Sequence, residues 1–191
     1  MGKIVTDNLQ RAFTAFFERS EQRANKVLEI EKTIDYLTHH ITDYLIEFRG
    51  MEISEHDLKI LGGLHHVVID LERIGDHAEN IAEYSVLLIE RKSKFSEDAK
   101  QELQQMSEKT LEALRTSLDA FDKRDKSMLD IVDKLEQEVD EMKRQYINNH
   151  IDRLQGKFCD PQVGVIFTNM VAALERIADH ATNIAFSIMD D

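Results

Sequence analysis

The sequence predicts an all-α protein built as two antiparallel three-helix bundles related by internal duplication, and three observations carry that reading. With only 7 Gly and 1 Pro in 191 residues and abundant Leu, Ile, Glu, Lys and Ala, the chain has little material for hairpins. Apolar residues recur at three- and four-residue intervals along most of its length, the spacing of one helical face. Residues 71–82 read Leu-Glu-Arg-Ile-Gly-Asp-His-Ala-Glu-Asn-Ile-Ala, and residues 174–185 repeat them with only Gly75 changed to Ala178 and Glu79 to Thr182.

The first helix is expected from Asn8 to about Phe17, with Leu9, Ala12, Phe13, Phe16 and Phe17 on one side. A second spans about Glu21 to Phe48 on a stripe of Val27, Ile30, Ile34, Leu37, Ile41 and Leu45, with Gly50 as its stop. Ser54, followed by Glu55 and Asp57, has the form of an N-cap with acidic first-turn residues, opening a long third helix through Leu58, Leu61, Leu64, Val68, Leu71, Ile74, Ala78 and Ile81 to Leu88. Ser96 caps a fourth helix carrying Leu103, Met106, Leu111, Leu114, Leu118 and Phe121. After a break at Asp122 to Asp125, a fifth runs from about Lys126 to Leu154 and stops at Gly156. Asp160 and Pro161 are a cap and first helical residue for the sixth, which holds the second copy of the repeat.

The order is three helices, twice: residues 1–94 form the first repeat and residues 95–191 the second. Ile30 to Asp35 stand 105 positions before Leu135 to Asp140, and Phe16 stands the same distance before Phe121. About 25 residues of helix precede Phe121 but only 15 residues precede Phe16, so the first helix of the first copy is shortened. Either the natural protein is short there or the sequence begins inside a longer chain.

A net charge of -13 argues against nucleic acid as a partner, because neutralising phosphates requires a basic face that this chain lacks. Cations and basic protein surfaces suit it better. One cysteine, Cys159, cannot form an internal disulfide and reads as a small apolar residue. The opening residues lack the apolar core of a signal peptide, and no apolar run is long enough to span a bilayer. A cytoplasmic location is expected.

The duplicated stretch carries a Glu and an Asp four residues apart, Glu72 with Asp76 and Glu175 with Asp179, which on a helix stand on one face about 6 Å apart. The preceding helix of each half has the same spacing, in Glu31 with Asp35 and Glu136 with Asp140. Two like charges so close repel, so a repeated pair needs either full solvation or a shared cation. All-oxygen ligand sets suit Mg, Mn, Ca or Fe, and no Cys pair exists for a closed structural zinc site. The alternative is a solvated acidic face, common in so acidic a chain. Each motif pair lies on neighbouring antiparallel helices, so the four acids of each half are expected to converge. His77 and His180 project away from that face and are expected to bond to a neighbouring helix, while His65 is a candidate from outside the motif. Arg73 and Arg176 are expected to hold acids on adjacent helices by bidentate pairing.

The paired Leu-Glu-Arg-Ile-x-Asp-His-Ala-x-Asn-Ile-Ala helices, each preceded by a Glu-x-x-x-Asp helix, resemble the PhoU family over nearly the whole chain. The stretch His150 to Pro161 and the short first helix are most similar to the PhoU-like domain at the C-terminus of sodium/phosphate cotransporters. The resemblance implies two side-by-side three-helix bundles and a non-enzymatic regulator of phosphate uptake. Its partners would be the membrane domain of a phosphate transporter or a sensor protein, with a homo-oligomer compatible with both. It further implies iron or zinc, or else magnesium or manganese, at Glu31, Asp35, Glu72, Asp76, Glu136, Asp140, Glu175 and Asp179. A position peripheral to or tethered at the inner membrane follows. Two other functions compete. A di-iron carboxylate oxidase needs Glu-x-x-His pairs, which the 8 histidines do not provide; a structural dimerisation module would leave all eight acids in solvent.

Overall fold

The computed structural model of the protein describes residues 1–49, 54–156 and 160–189. Gly50, expected to end the second helix, and Cys159 lie outside them. Six α-helices account for nearly all of the described residues: α1 (Gly2–Glu18), α2 (Glu21–Arg49), α3 (Glu55–Glu90), α4 (Glu97–Lys123), α5 (Leu129–Gln155) and α6 (Pro161–Phe186). Short 3-10 turns at Lys126–Met128 and Ser187–Met189 precede α5 and follow α6.

The ends are set by local chemistry. Ser54 and Ser96 accept hydrogen bonds from the backbone N–H of Asp57 and Ala99, and Asp160 accepts one from Gln162 ahead of Pro161. Arg19 and Arg124 end α1 and α4 in the left-handed region, at φ 54° and 50°. These two residues stand 105 positions apart, so the duplication extends to the backbone of the interhelical turn. One expected boundary was too late. The first helix begins at Gly2, not Asn8, because Val5 prolongs the buried stripe one turn upstream of Leu9 and the Thr6 hydroxyl donates to the Gly2 carbonyl at 3.0 Å.

Helices α1, α2 and α3 pack on one another, as do α4, α5 and α6, and the two bundles meet where α3 lies against α6 and α1 against α4. Of these, α3 and α6 carry the repeated sequence. Gly75, Ala78 and Ala82 on α3, with Ala178, Ala181 and Ala185 on α6, are small and buried, which permits close approach. Ile74, Ile81, Ile177 and Ile184 fill the layers beside them, fully buried, each contributing about 1.5–3 kcal/mol by leaving water. One continuous apolar core therefore runs through both bundles.

Length separates the bundles. At the usual helical rise the 17 residues of α1 span about 26 Å against about 44 Å for the 29 residues of α2. The far halves of α2 and the start of α3 thus extend past α1, with Tyr44 60%, Ile46 55% and Leu58 41% exposed. In the second bundle α4 and α5 match at 27 residues each. The extra turns of α4 bring Glu102 to a bidentate pair with Arg153 at 2.7 and 3.0 Å, joined by Asn149 at 2.8 Å, and the guanidinium lies 5.0 Å over the Phe167 ring.

Candidate metal centre

In the first bundle, the turn spacing of α2 puts Glu31 and Asp35 on the face turned to α3, where Glu72 and Asp76 stand. Glu31 is 2% exposed, and neither of its carboxylate oxygens has a hydrogen-bond partner. It fits because residue 75 is glycine: a Cβ there would stand 2.7 Å from Oε1 and 2.9 Å from Oε2. Ligand oxygens of Glu31, Asp35 and Asp76 all lie within 4.8 Å of one another. Glu72 shares this face but stands outside the tight trio.

The electrostatics follow from that crowding. Burial first, then the charges of Asp35, Asp76, Glu79 and Glu72, push the Glu31 carboxyl up to about 8. Asp76 is raised by burial and by Asp35, and Glu72 by burial, Asp76 and Asp35. A buried carboxylate without a partner either binds a proton or needs a cation. Glu79, which the sequence reading passed over, belongs to the same face; burial, Glu83, Asp76 and Asp35 raise it, against the opposing charge of Lys32. Its signal was present, since Glu72, Asp76 and Glu79 fall at i, i+4 and i+7.

The second bundle places its acids similarly but fills their surroundings differently. Glu136 is raised by burial and then by Asp140, Asp179, Asp133 and Glu175, so the four predicted acids do face one another. Among the described residues, however, no three of them bring ligand atoms within 4.8 Å. The Lys143 ammonium lies 2.7 Å from Glu175 Oε1. Ala178 stands in the place of Gly75 and Thr182 in the place of Glu79, and the Thr182 hydroxyl is buried without a partner.

Between the bundles, His180 makes the kind of bond expected of it, Nδ1 to Asp70 Oδ1 of α3 at 2.9 Å. The His77 ring stacks on that of His180 at 6.0 Å, and burial, His180 and Arg176 push it down to about 4. His65 is not part of the carboxylate trio. The arginine expectation needs correction: Arg73 stays on its own helix, its Nη1 3.9 Å from Asp70, because its side chain projects from the exposed side of α3 and cannot reach acids on a neighbour.

The sequence pattern of the PhoU domain matches residues 1–85 and 103–188. The chain belongs to the PhoU family. It is 28% identical over 192 residues to the phosphate-specific transport system accessory protein PhoU homolog 1 of Thermotoga maritima, covering 97% of this chain and 80% of that one. It is 30% identical over 187 residues to the PhoU homolog of Synechocystis, covering 97% and 81%. The fold matches the crystal structure of PhoU from Pseudomonas aeruginosa with a TM-score of 0.92 at 24% identity, over 99% of this chain and 90% of that one. PhoU from Streptococcus pneumoniae matches at 0.87 and 21% identity, over 98% and 87%.

Within this PhoU-family chain the first bundle fits the metal that the resemblance implies. The orphaned oxygens of Glu31, seated over Gly75, and the nearby oxygens of Asp35 and Asp76 are what a cation held between α2 and α3 requires. The second bundle lacks that fit, since a lysine already neutralises one of its acids and an alanine fills the glycine position. Among the described residues, no helix is long and apolar enough to cross a membrane.

Proposed function

We propose that this chain regulates phosphate uptake as a metal-binding accessory module that contacts a phosphate transporter, or a sensor coupled to one, at the cytoplasmic face of the inner membrane. The observation that carries the metal reading is the buried, partnerless Glu31 gathered with Asp35 and Asp76. Family membership supports the phosphate reading, with relatives named as accessory proteins of phosphate-specific transport. Iron or zinc, with magnesium or manganese as the harder alternatives, would be held by Glu31, Asp35 and Asp76, with Glu72 beside them. Such a cation supplies the positive charge that lets these carboxylates stay ionised while α2 remains docked on α3. Fusion to the membrane domain of a cotransporter is the covalent form of the same contact. A net charge of -13 favours basic protein surfaces over nucleic acid on the partner side.

Two measurements test this. Protein purified without chelator should carry metal and gain thermal stability from Fe2+, Zn2+, Mn2+ or Mg2+; protein that carries none and melts unchanged with all four sinks the metal reading. Cells lacking the gene should lose the normal dependence of phosphate uptake on external phosphate. An unaltered uptake response sinks the regulatory reading, whatever the metal result.

A further inference from the structure

The two copies differ on their carboxylate faces at three positions that favour a cation in the first half, against which Lys32 is matched by Gln137 and Leu28 by Asp133. Lys143 stands three residues after Asp140; the matching residue after Asp35 is Thr38. The lysine crosses from α5 to Glu175 on α6, whereas the Thr38 hydroxyl is buried with no partner. Glu79 is matched by Thr182, and Gly75 by Ala178. The first face therefore holds five carboxylates and no lysine among them, its nearest positive charges being the exposed Lys32 and Arg73 at the margin. The second holds its four motif carboxylates with Asp133 beside Glu136, and an ammonium stands at hydrogen-bond distance from Glu175.

We infer that the two halves are not equivalent metal sites: the first takes the cation at Glu31, Asp35 and Asp76, while in the second Lys143 acts as a tethered cation in the metal's place. This rests on the metal-binding reading above. Steric and electrostatic arguments agree. Glu31 can lie flat against α3 only because residue 75 has no side chain, and in the second half the buried methyl of Ala178 fills that seat. Glu136 remains only partly buried, where Glu31 is buried with neither oxygen hydrogen-bonded. A divalent ion entering the second face would meet the Lys143 ammonium at close range and would have to break its pair with Glu175, losing one opposite charge to gain another. In the first face the positive charges of Lys32, Arg73 and His180 act on Glu79 and Glu72, outside the close trio. Glu79, two turns along α3 from Glu72 and one from Asp76, stands outside the close trio and adds a negative charge beside it that Thr182 does not.

The experiment uses the full chain with Mn2+, and Zn2+ in parallel, reading metal content by equilibrium dialysis, ion position by anomalous scattering, and melting of the metal-free protein. Ions are expected in the first half only. Glu79→Thr should weaken binding about tenfold or more, by loss of a group that supports the site. The triple variant Lys143→Thr, Ala178→Gly, Thr182→Glu should acquire a second site and double the bound metal. Thr38→Lys should abolish binding in the first half and raise the melting temperature of the metal-free protein; Lys143→Met should lower it. Ions in both halves of the unaltered protein overturn the inference and leave the metal-binding reading standing, whereas no bound metal overturns both. Metal-free melting that is unmoved by both Thr38→Lys and Lys143→Met overturns the role given to Lys143.

Discussion

In the first bundle a glutamate lies buried against a glycine with no partner for either oxygen; in the second, the matching Glu136 is only partly buried, alanine stands at the glycine position, and a lysine pairs with Glu175. The two halves share the order of three helices and a left-handed arginine after the first helix of each. What differs is the source of positive charge, and with it the state in which each half is satisfied. The second bundle neutralises its charge with its own side chains, both at Lys143–Glu175 and at the Glu102–Arg153 pair. The first bundle has neither device: Phe48 aligns with Arg153, and no residue of α1 aligns with Glu102. The duplication has thus kept one helical scaffold while changing the charges on its carboxylate faces.

The largest effect that tests this contrast is expected at Glu102. Its partner Arg153 is 13% exposed, so Glu102→Ala leaves a mostly buried guanidinium unpaired and should cost about 3–5 kcal/mol in urea unfolding, whether or not metal is present. A loss below about 1 kcal/mol, the range of surface pairs, would show that the second bundle does not depend on its internal charges.

Next in size is the pH response of the metal-free protein. The folded-state pKa of Glu31, about 8, lies above its ordinary 4.5, so its contribution to stability is full below 4.5 and is lost as pH rises through about 8. His77 acts in the opposite sense: pushed from 6.5 to about 4, it leaves stability intact above 6.5 and removes it as pH falls toward 4. Between pH 6.5 and 8 the metal-free protein should therefore lose stability with rising pH, at a slope of at most about 1.4 kcal/mol per unit from Glu31. Glu31→Gln should flatten that slope while Glu136→Gln changes it little. Equal slopes in the two variants would erase the distinction between the halves.

Gly75→Ala makes the first half like the second at one atom. The new Cβ must displace the Glu31 carboxylate, a flexible side-chain end, so the metal-free fold should be unharmed or gain up to about 1 kcal/mol of helix propensity. Metal-dependent stabilisation should disappear. Retention of the full metal shift in melting would show that Glu31 does not need its glycine seat. The smallest effects are expected at the caps of the two repeat helices, Ser54 for α3 and Asp160 for α6: Ser54→Ala and Asp160→Ala should each cost about 1 kcal/mol, measured by thermal melts. A marked inequality between them would place part of the asymmetry in the helix ends.

Much of this was legible in the residues. Ser54, Ser96, Asp160 with Pro161, and Gly156 mark helix ends at the positions the structure gives, since a cap acts over three or four residues and its signal is as local as its bond. The carboxylates were legible for the same reason: the i, i+4 spacing of Glu31 with Asp35 and of Glu72 with Asp76 fixes a shared face before any packing is known. Val5 was missed because a stripe read from sequence has no marked beginning. Glu79 was passed over although its spacing fitted, because only the motif common to both copies was followed.

The sequence by itself determined that the chain is helical, that it is a duplication, and which acids share a helical face, because periodicity and repetition are properties of neighbouring residues. It could not decide which acids are buried, or what meets them from another helix. That Gly75 is a seat for Glu31, that Lys143 reaches Glu175, that Asp70 engages His180 and that Arg73 stays on its own helix are facts about side chains far apart in the chain. They depend on how α2 is rotated against α3, and α5 against α6, by the packing of the shared apolar core. A rotation of one residue on either helix would exchange a buried carboxylate for a solvated one, since successive positions turn by about 100° while the face that meets a neighbour is little wider.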